Sequence, residues 1–200
     1  GQAAIDKHLE YFHATGMDFV KIQYEQKPPE IAPIQSAADW AHLPLVDEAF
    51  FAPTLGVVEG IVKAARANAL VMMTLYSPFM WANQMAGADV VASHLRENPD
   101  AVAKGLAILT ENVTRLVRGC IRIGVDGFYA STQGGESFRF SGTDIFTKYV
   151  KPTDLAIWQE LELCQFNILH VCDYSGGYAD LTPFLDYPGH IVNCSLHLDD

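Results

Sequence analysis

Leu70-Val71-Met72-Met73-Thr74-Leu75-Tyr76 is an almost unbroken apolar run, closed by Ser77-Pro78. A strand with one wet face alternates apolar and polar residues, whereas a strand covered on both faces does not. The run therefore predicts an interior strand of a parallel sheet. Working outward, Met17 to Tyr24, Val125 to Ala130, Asn167 to Cys172 and His190 to Ser195 also read as strands. Helical patterns separate them. Ile5, Leu9 and Phe12 mark a helix over 2–15 that Gly16 stops. Leu55, Val58, Ile61, Val62 and Ala65 mark a second over 54–67. Asn98-Pro99 opens the clearest helix, with Asn as cap and Pro in the first turn, and Val102, Leu106, Leu109, Val113, Leu116 and Cys120 follow on one face up to Gly124. Residues 143–166 read as helical in two pieces split at Pro152, and a short helix is expected around 179–185. Residues 26–53 hold prolines at 28, 29, 33, 44 and 53 and read as an irregular connection.

Five strands separated by helices mean βαβ units and a parallel sheet. No Gly-x-Gly-x-x-Gly fingerprint and no P-loop follows any strand, which argues against a doubly wound nucleotide-binding fold. A (β/α)8 barrel needs eight strands and typically about 250 residues, so a whole barrel does not fit either.

The 200 residues are 50% apolar and 18% charged, the profile of a compact protein. The formal charge of −11 is wrong for gripping a nucleic-acid backbone or an anionic membrane surface. No stretch reaches the roughly 18–20 consecutive apolar residues of a membrane span. The first residues lack the basic and apolar regions of a signal peptide. Cys120, Cys164, Cys172 and Cys194 are scattered, which reads as reduced thiols and a cytoplasmic location. The chain opens on Gly1 without a methionine, the mark of a tag scar or of a chain that does not start where its gene does.

In parallel α/β architectures, sites form at the C-terminal ends of strands. That rule selects Tyr76, Ser131, Gln133, Glu25 and the pair His170 and Cys172. Residues i and i+2 of a strand share a face, so His170 and Cys172 converge. Imidazole and thiolate both suit zinc; a packed thiol and a hydrogen-bonded imidazole are the alternative. Gln133-Gly134-Gly135 reads as a loop that brings backbone donors to a substrate, or as a tight turn. Gln133 and Ser131 are candidates to hydrogen-bond a substrate, and Glu25 is a candidate carboxylate base. His197, Asp199 and Asp200 have metal-ligand chemistry but lie at the chain end. No Gly-x-Ser-x-Gly elbow supports a serine triad.

Asp18-Phe19-Val20-Lys21-Ile22, Asn98-Pro99, Gly124 to Tyr129 and Ile168-Leu169-His170-Val171-Cys172 occur in an order and spacing that resembles the uroporphyrinogen decarboxylase superfamily, over residues 5–198. The resemblance implies a (β/α)8 TIM-barrel fold of which this chain shows about five units. On that reading residues 1–200 are one barrel domain truncated at both ends, expected to associate with itself as a homo-oligomer. It also implies one of two chemistries on a small-molecule substrate. Zinc-dependent methyltransferases of the superfamily use a His-x-Cys pair, matched by His170 and Cys172, with a third Cys expected beyond Asp200. They take a methyl group from a corrinoid, in some cases on a corrinoid protein partner, to a thiol. Uroporphyrinogen decarboxylase, of tetrapyrrole (porphyrin and heme) biosynthesis, is a lyase that uses no cofactor and needs an Arg-rich segment that this chain lacks. A non-catalytic barrel binding a corrinoid or a partner is the third reading. The resemblance favours methyl transfer.

Overall fold

A computed structural model describes residues 1–23, 26–136, 138–172 and 180–194. Five strands form one sheet: β1 (Phe19–Ile22), β2 (Leu70–Tyr76), β3 (Gly127–Thr132), β4 (Ile168–Val171) and β5 (Ile191–Cys194). All four pairings are parallel, and the spatial order β1-β2-β3-β4-β5 is the chain order. A doubly wound sheet reverses its strand order at a switch point. Here every crossover advances one strand the same way, and right-handed crossovers then place every helix on one face. The helices pack accordingly. α1 (Gln2–Thr15) lies on α2 (Glu48–Ala65), α2 on α5 (Pro99–Ile123), and α5 on α6 (Lys151–Leu161). This is the arrangement of consecutive units of a (β/α) barrel.

The helix-facing side of the sheet carries Val20, Ile22, Val71, Met73, Leu75, Phe128, Ala130, Leu169 and Val171, all in one core with the buried faces of α2, α5 and α6. Met72, Ile168 and Cys172 are also buried but lie outside that core, on the opposite face. β2 is thus covered on both sides, as its apolar run predicts. The caps of α5 form as read: Asn98 Oδ1 accepts from the Ala101 N–H at 3.2 Å, and Gly124 ends the helix at φ 97°.

The structure corrects several boundaries. α2 begins at Glu48 rather than 54, with Asp47 capping the Phe50 N–H at 3.2 Å. Pro53 is therefore inside the helix. It forfeits one backbone hydrogen bond, and burial of Phe51, Val57, Val58 and Ile61 outweighs that loss. Two helices unread in the sequence, α3 (Pro78–Ala86) and α4 (Ala88–Glu97), follow β2. β3 sits two residues later than expected, because Asp126 is spent below the sheet: its Oδ2 accepts from the Val71 N–H at 2.7 Å, and its Oδ1 accepts from Gln165 at 2.8 Å. Pro152 does not split a helix; a π-turn over Phe146–Val150 runs straight into α6, with the proline in its first turn. The short helix near 179–185 is a 3-10 turn at Thr182–Phe184.

Candidate active site

The strand register places Tyr76, Ser131, His170 and Asn193 opposite one another in a single row across β2 to β5. One step toward the strand starts, Thr74, Tyr129, Ile168 and Ile191 form the next row, and Lys21, Met72 and Gly127 form the one after. Residues two apart on a strand share a face. All three rows therefore look away from the helices, into what is the interior of a barrel. Three residues picked out by the strand-end rule, Tyr76, Ser131 and His170, share the row nearest the C-terminal mouth.

His170 is the best-connected of them. Its Nδ1 lies 2.7 Å from Asn193 Oδ1, and the Tyr129 hydroxyl donates to the same oxygen. A carbonyl oxygen only accepts, so His170 carries its proton on Nδ1 and presents an unprotonated Nε2. The Tyr129 ring lies 4.9 Å from the imidazole, and the Lys21 ammonium sits 3.8 Å from the centre of that ring, a cation–π contact. Burial lowers the His170 pKa below its ordinary value; the Asn193 hydrogen bonds oppose this and the Lys21 charge adds to it. The imidazole is thus neutral at physiological pH, the form that binds metals. Burial also lowers the Lys21 pKa, against the effect of Cys172, and raises that of Tyr129.

Cys172 follows β4 and is buried. Its N–H donates to the Thr132 carbonyl at 2.9 Å, which carries the β3–β4 pairing one residue beyond the strands. The two donors expected for zinc, His170 and Cys172, therefore stand two residues apart at the mouth. The donor types and the unprotonated Nε2 fit zinc; no group of three such residues gathers among the described residues.

The remaining candidates fare differently. Gln133 is buried, and its amide oxygen accepts from Asn83 of α3 at 3.5 Å. Glu25, His197, Asp199 and Asp200 lie outside the described residues. In the Gly-rich loop, Gly134 takes φ 104°, and its N–H donates to the Glu136 carboxylate at 2.9 Å. A Cβ on Gly135 would lie 2.6 Å from Phe184, so that glycine admits close packing. Beyond the loop, Glu136 pairs with the half-buried Arg139 at 2.8 Å and lines a cavity of about 410 Å³ bounded by Phe140, Phe146 and Thr182.

Sequence reasoning did not find Lys21, Tyr129 or Asn193. Lys21 and Tyr129 sit mid-strand, away from the strand ends that the site rule searches. Period-two alternation on β1 and β3 is the signal that puts them on the same face. Asp154, a buried acid of α6 behind the row, was also missed.

The profile of the uroporphyrinogen decarboxylase (URO-D) family matches residues 9–185. No curated protein matches the sequence. Among solved structures, a methyltransferase from Methanosarcina mazei superposes with a TM-score of 0.72 at 13% identity, over 92% of this chain and 58% of that one. At that identity the likeness speaks for the fold, and the chain spans 58% of the length of that methyltransferase.

Proposed function

This chain belongs to the uroporphyrinogen decarboxylase family, and we propose that within it the protein serves zinc-dependent methyl transfer from the cobalt of a corrinoid to a thiol. The observation that carries this reading is the state of His170: Nδ1–H tied to Asn193 and Nε2 unprotonated, two residues from Cys172, which directly follows β4. Metal-binding histidines characteristically donate their second ring nitrogen's proton to such a partner, which fixes the tautomer and the ring's orientation. His170 and Cys172 would hold the metal. Zinc, when bound, would supply a Lewis acid that lets a thiol surrender its proton near neutral pH. Asn193 and Tyr129 hold the imidazole in register for that task, and the Thr132 carbonyl anchors the backbone at Cys172. Lys21 places a positive charge by the same site, where it favours a thiolate over a thiol.

The likeness to a methyltransferase supports this reading at the level of fold. Decarboxylation of a polycarboxylate draws less support, because none of the five strands carries an arginine. Arg139 is already paired with Glu136, and Arg115 and Arg118 are paired on the helix layer.

Zinc analysis of the purified protein tests the proposal. The expected result is bound zinc that His170→Ala and Cys172→Ala each diminish. A protein that takes up no zinc, or binds it equally well without His170, overturns it.

A further inference from the structure

Behind the row of Tyr76, Ser131 and His170 lies a small cavity lined by Ser77, Ser131, Thr132, Asp154, Ile157 and Trp158, with room for a water-sized guest. Asp154 is 2% exposed. Its Oδ2 accepts from the Thr132 hydroxyl and, at 2.9 Å, from the Tyr187 hydroxyl. Its Oδ1 is buried with no hydrogen-bond partner among the described residues. The donors come from two separate segments. Thr132 lies between Ser131 and Gln133 at the end of β3, and Tyr187 belongs to the segment that leads into β5.

We propose that Asp154 is a positioning residue: one carboxyl oxygen fixes the C-terminal end of β3 and the 180–187 segment, and a single water bound in the cavity satisfies the other. A buried oxygen without a partner is costly, and Ser77 and Thr132 border the cavity, so a water there has partners. Burial raises the acid's pKa to about 7 in spite of its hydroxyl donors. The clamp is therefore closed when Asp154 is neutral and loosens when it ionises. Nearby charges do not compensate that ionisation. Lys151, one turn earlier on α6, pairs with Asp186 at 2.5 Å and donates to the Pro183 carbonyl. Glu160 pairs with Arg118 and Glu136 with Arg139, and the ends of β2 and β3 offer only hydroxyls. Tyr187, the remaining titratable neighbour, stays protonated, its pKa raised by burial and by Asp154.

Backbone hydrogen exchange, corrected for its intrinsic pH dependence, reads the clamp at about pH 5.5 and about pH 8.5, either side of the acid's value of about 7. Opening that exposes the acid to water should become about 30-fold more frequent at the higher pH. The change should appear together in peptides covering 127–133 and 180–187. In Asp154→Asn, which keeps the shape and cannot titrate, it should vanish. A wild-type chain without this change, or an Asp154→Asn chain that retains it, overturns the proposal. Should Asp154→Asn fail to fold, Tyr187→Phe removes one donor to the carboxylate and must move the midpoint to higher pH; an unmoved midpoint overturns it equally. Infrared difference spectra across the same pH interval should show the band of a protonated buried carboxyl, absent in Asp154→Asn. A band at the frequency of a carboxyl with no hydrogen bond would remove the water.

Discussion

Replacing Asn167 with alanine should destabilise the protein by about 1.5–4.5 kcal/mol. Asn167 is 3% exposed and immediately precedes β4. Its Oδ1 accepts from the Phe128 N–H at 3.0 Å, and its Nδ2 donates to the Leu161 carbonyl at 2.8 Å. One side chain thus satisfies a backbone donor of β3 and a carbonyl at the end of α6. Alanine leaves the Phe128 N–H buried and unpaired, at about 1–3 kcal/mol, and removes one of two hydrogen bonds to the Leu161 carbonyl, which keeps the Cys164 N–H at 2.9 Å, for about 0.5–1.5 kcal/mol more. Urea unfolding followed by tryptophan fluorescence measures the loss, as a lower midpoint at unchanged slope. In a thermal scan the same loss is a fall of about 3–18 °C for a chain of this size. Asn167→Asp sharpens the test. The carboxylate still accepts from Phe128, but its second oxygen now faces the Leu161 carbonyl, acceptor against acceptor. Protonation turns that oxygen into a donor. The folded-state pKa of the introduced acid is therefore raised, and the variant's stability is lost as pH rises through that value. A loss below about 1 kcal/mol in Asn167→Ala, or a pH-independent Asn167→Asp, would refute the bridge from β3 through Asn167 to α6.

Two further outcomes follow from the polar groups of the sheet. Asp154 has a folded-state pKa raised from 3.8 to about 7, so the native state holds its proton more tightly than the unfolded chain does. Its contribution is complete below about pH 3.8 and is lost as pH rises to about 7, about 4 kcal/mol in all; urea midpoints of wild type and Asp154→Asn across that interval should diverge by that trend, and parallel curves count against it. Asn193→Ala frees the His170 ring and should weaken zinc binding by about 10–100-fold, read by competition with a chromogenic chelator. An unchanged affinity would mean that Asn193 does not set the imidazole.

Much of the fold was legible because burial writes itself into composition. The run from Leu70 to Tyr76 announces a strand covered on both faces, and Asn98, Pro99 and Gly124 bracket α5. What escaped has local causes. α3 and α4 span 9 and 10 residues with Gly87 between them at φ 89°, too short for a helical period to stand out. Val125-Asp126 reads as strand, yet the Asp126 carboxylate belongs to the Val71 N–H beneath the sheet. Pro53 reads as a helix stop, yet it lies within α2. Of the candidate site, the strand-end rule reached Tyr76, Ser131 and His170. It had no access to register, which alone sets Asn193 opposite His170 and brings Lys21 over Tyr129. Asp154 reads as one more acid on a helix, because nothing in its neighbours tells which helix face meets the strand ends.

Register also explains how the two donors can be held firmly. His170 stands on β4 and Cys172 directly after it, and each is secured by a different neighbour. β5 secures the imidazole through Asn193, and β3 secures the backbone of Cys172 through the Thr132 carbonyl. Thr132 is in turn a donor to Asp154, and Asp154 also receives the Tyr187 hydroxyl from the segment that leads into β5. Both lines of support therefore run from the donor pair, through the flanking strands, to one buried acid on α6. A carboxyl that titrates near neutrality behind such a pair couples the geometry of the mouth to pH, although neither His170 nor Cys172 touches it.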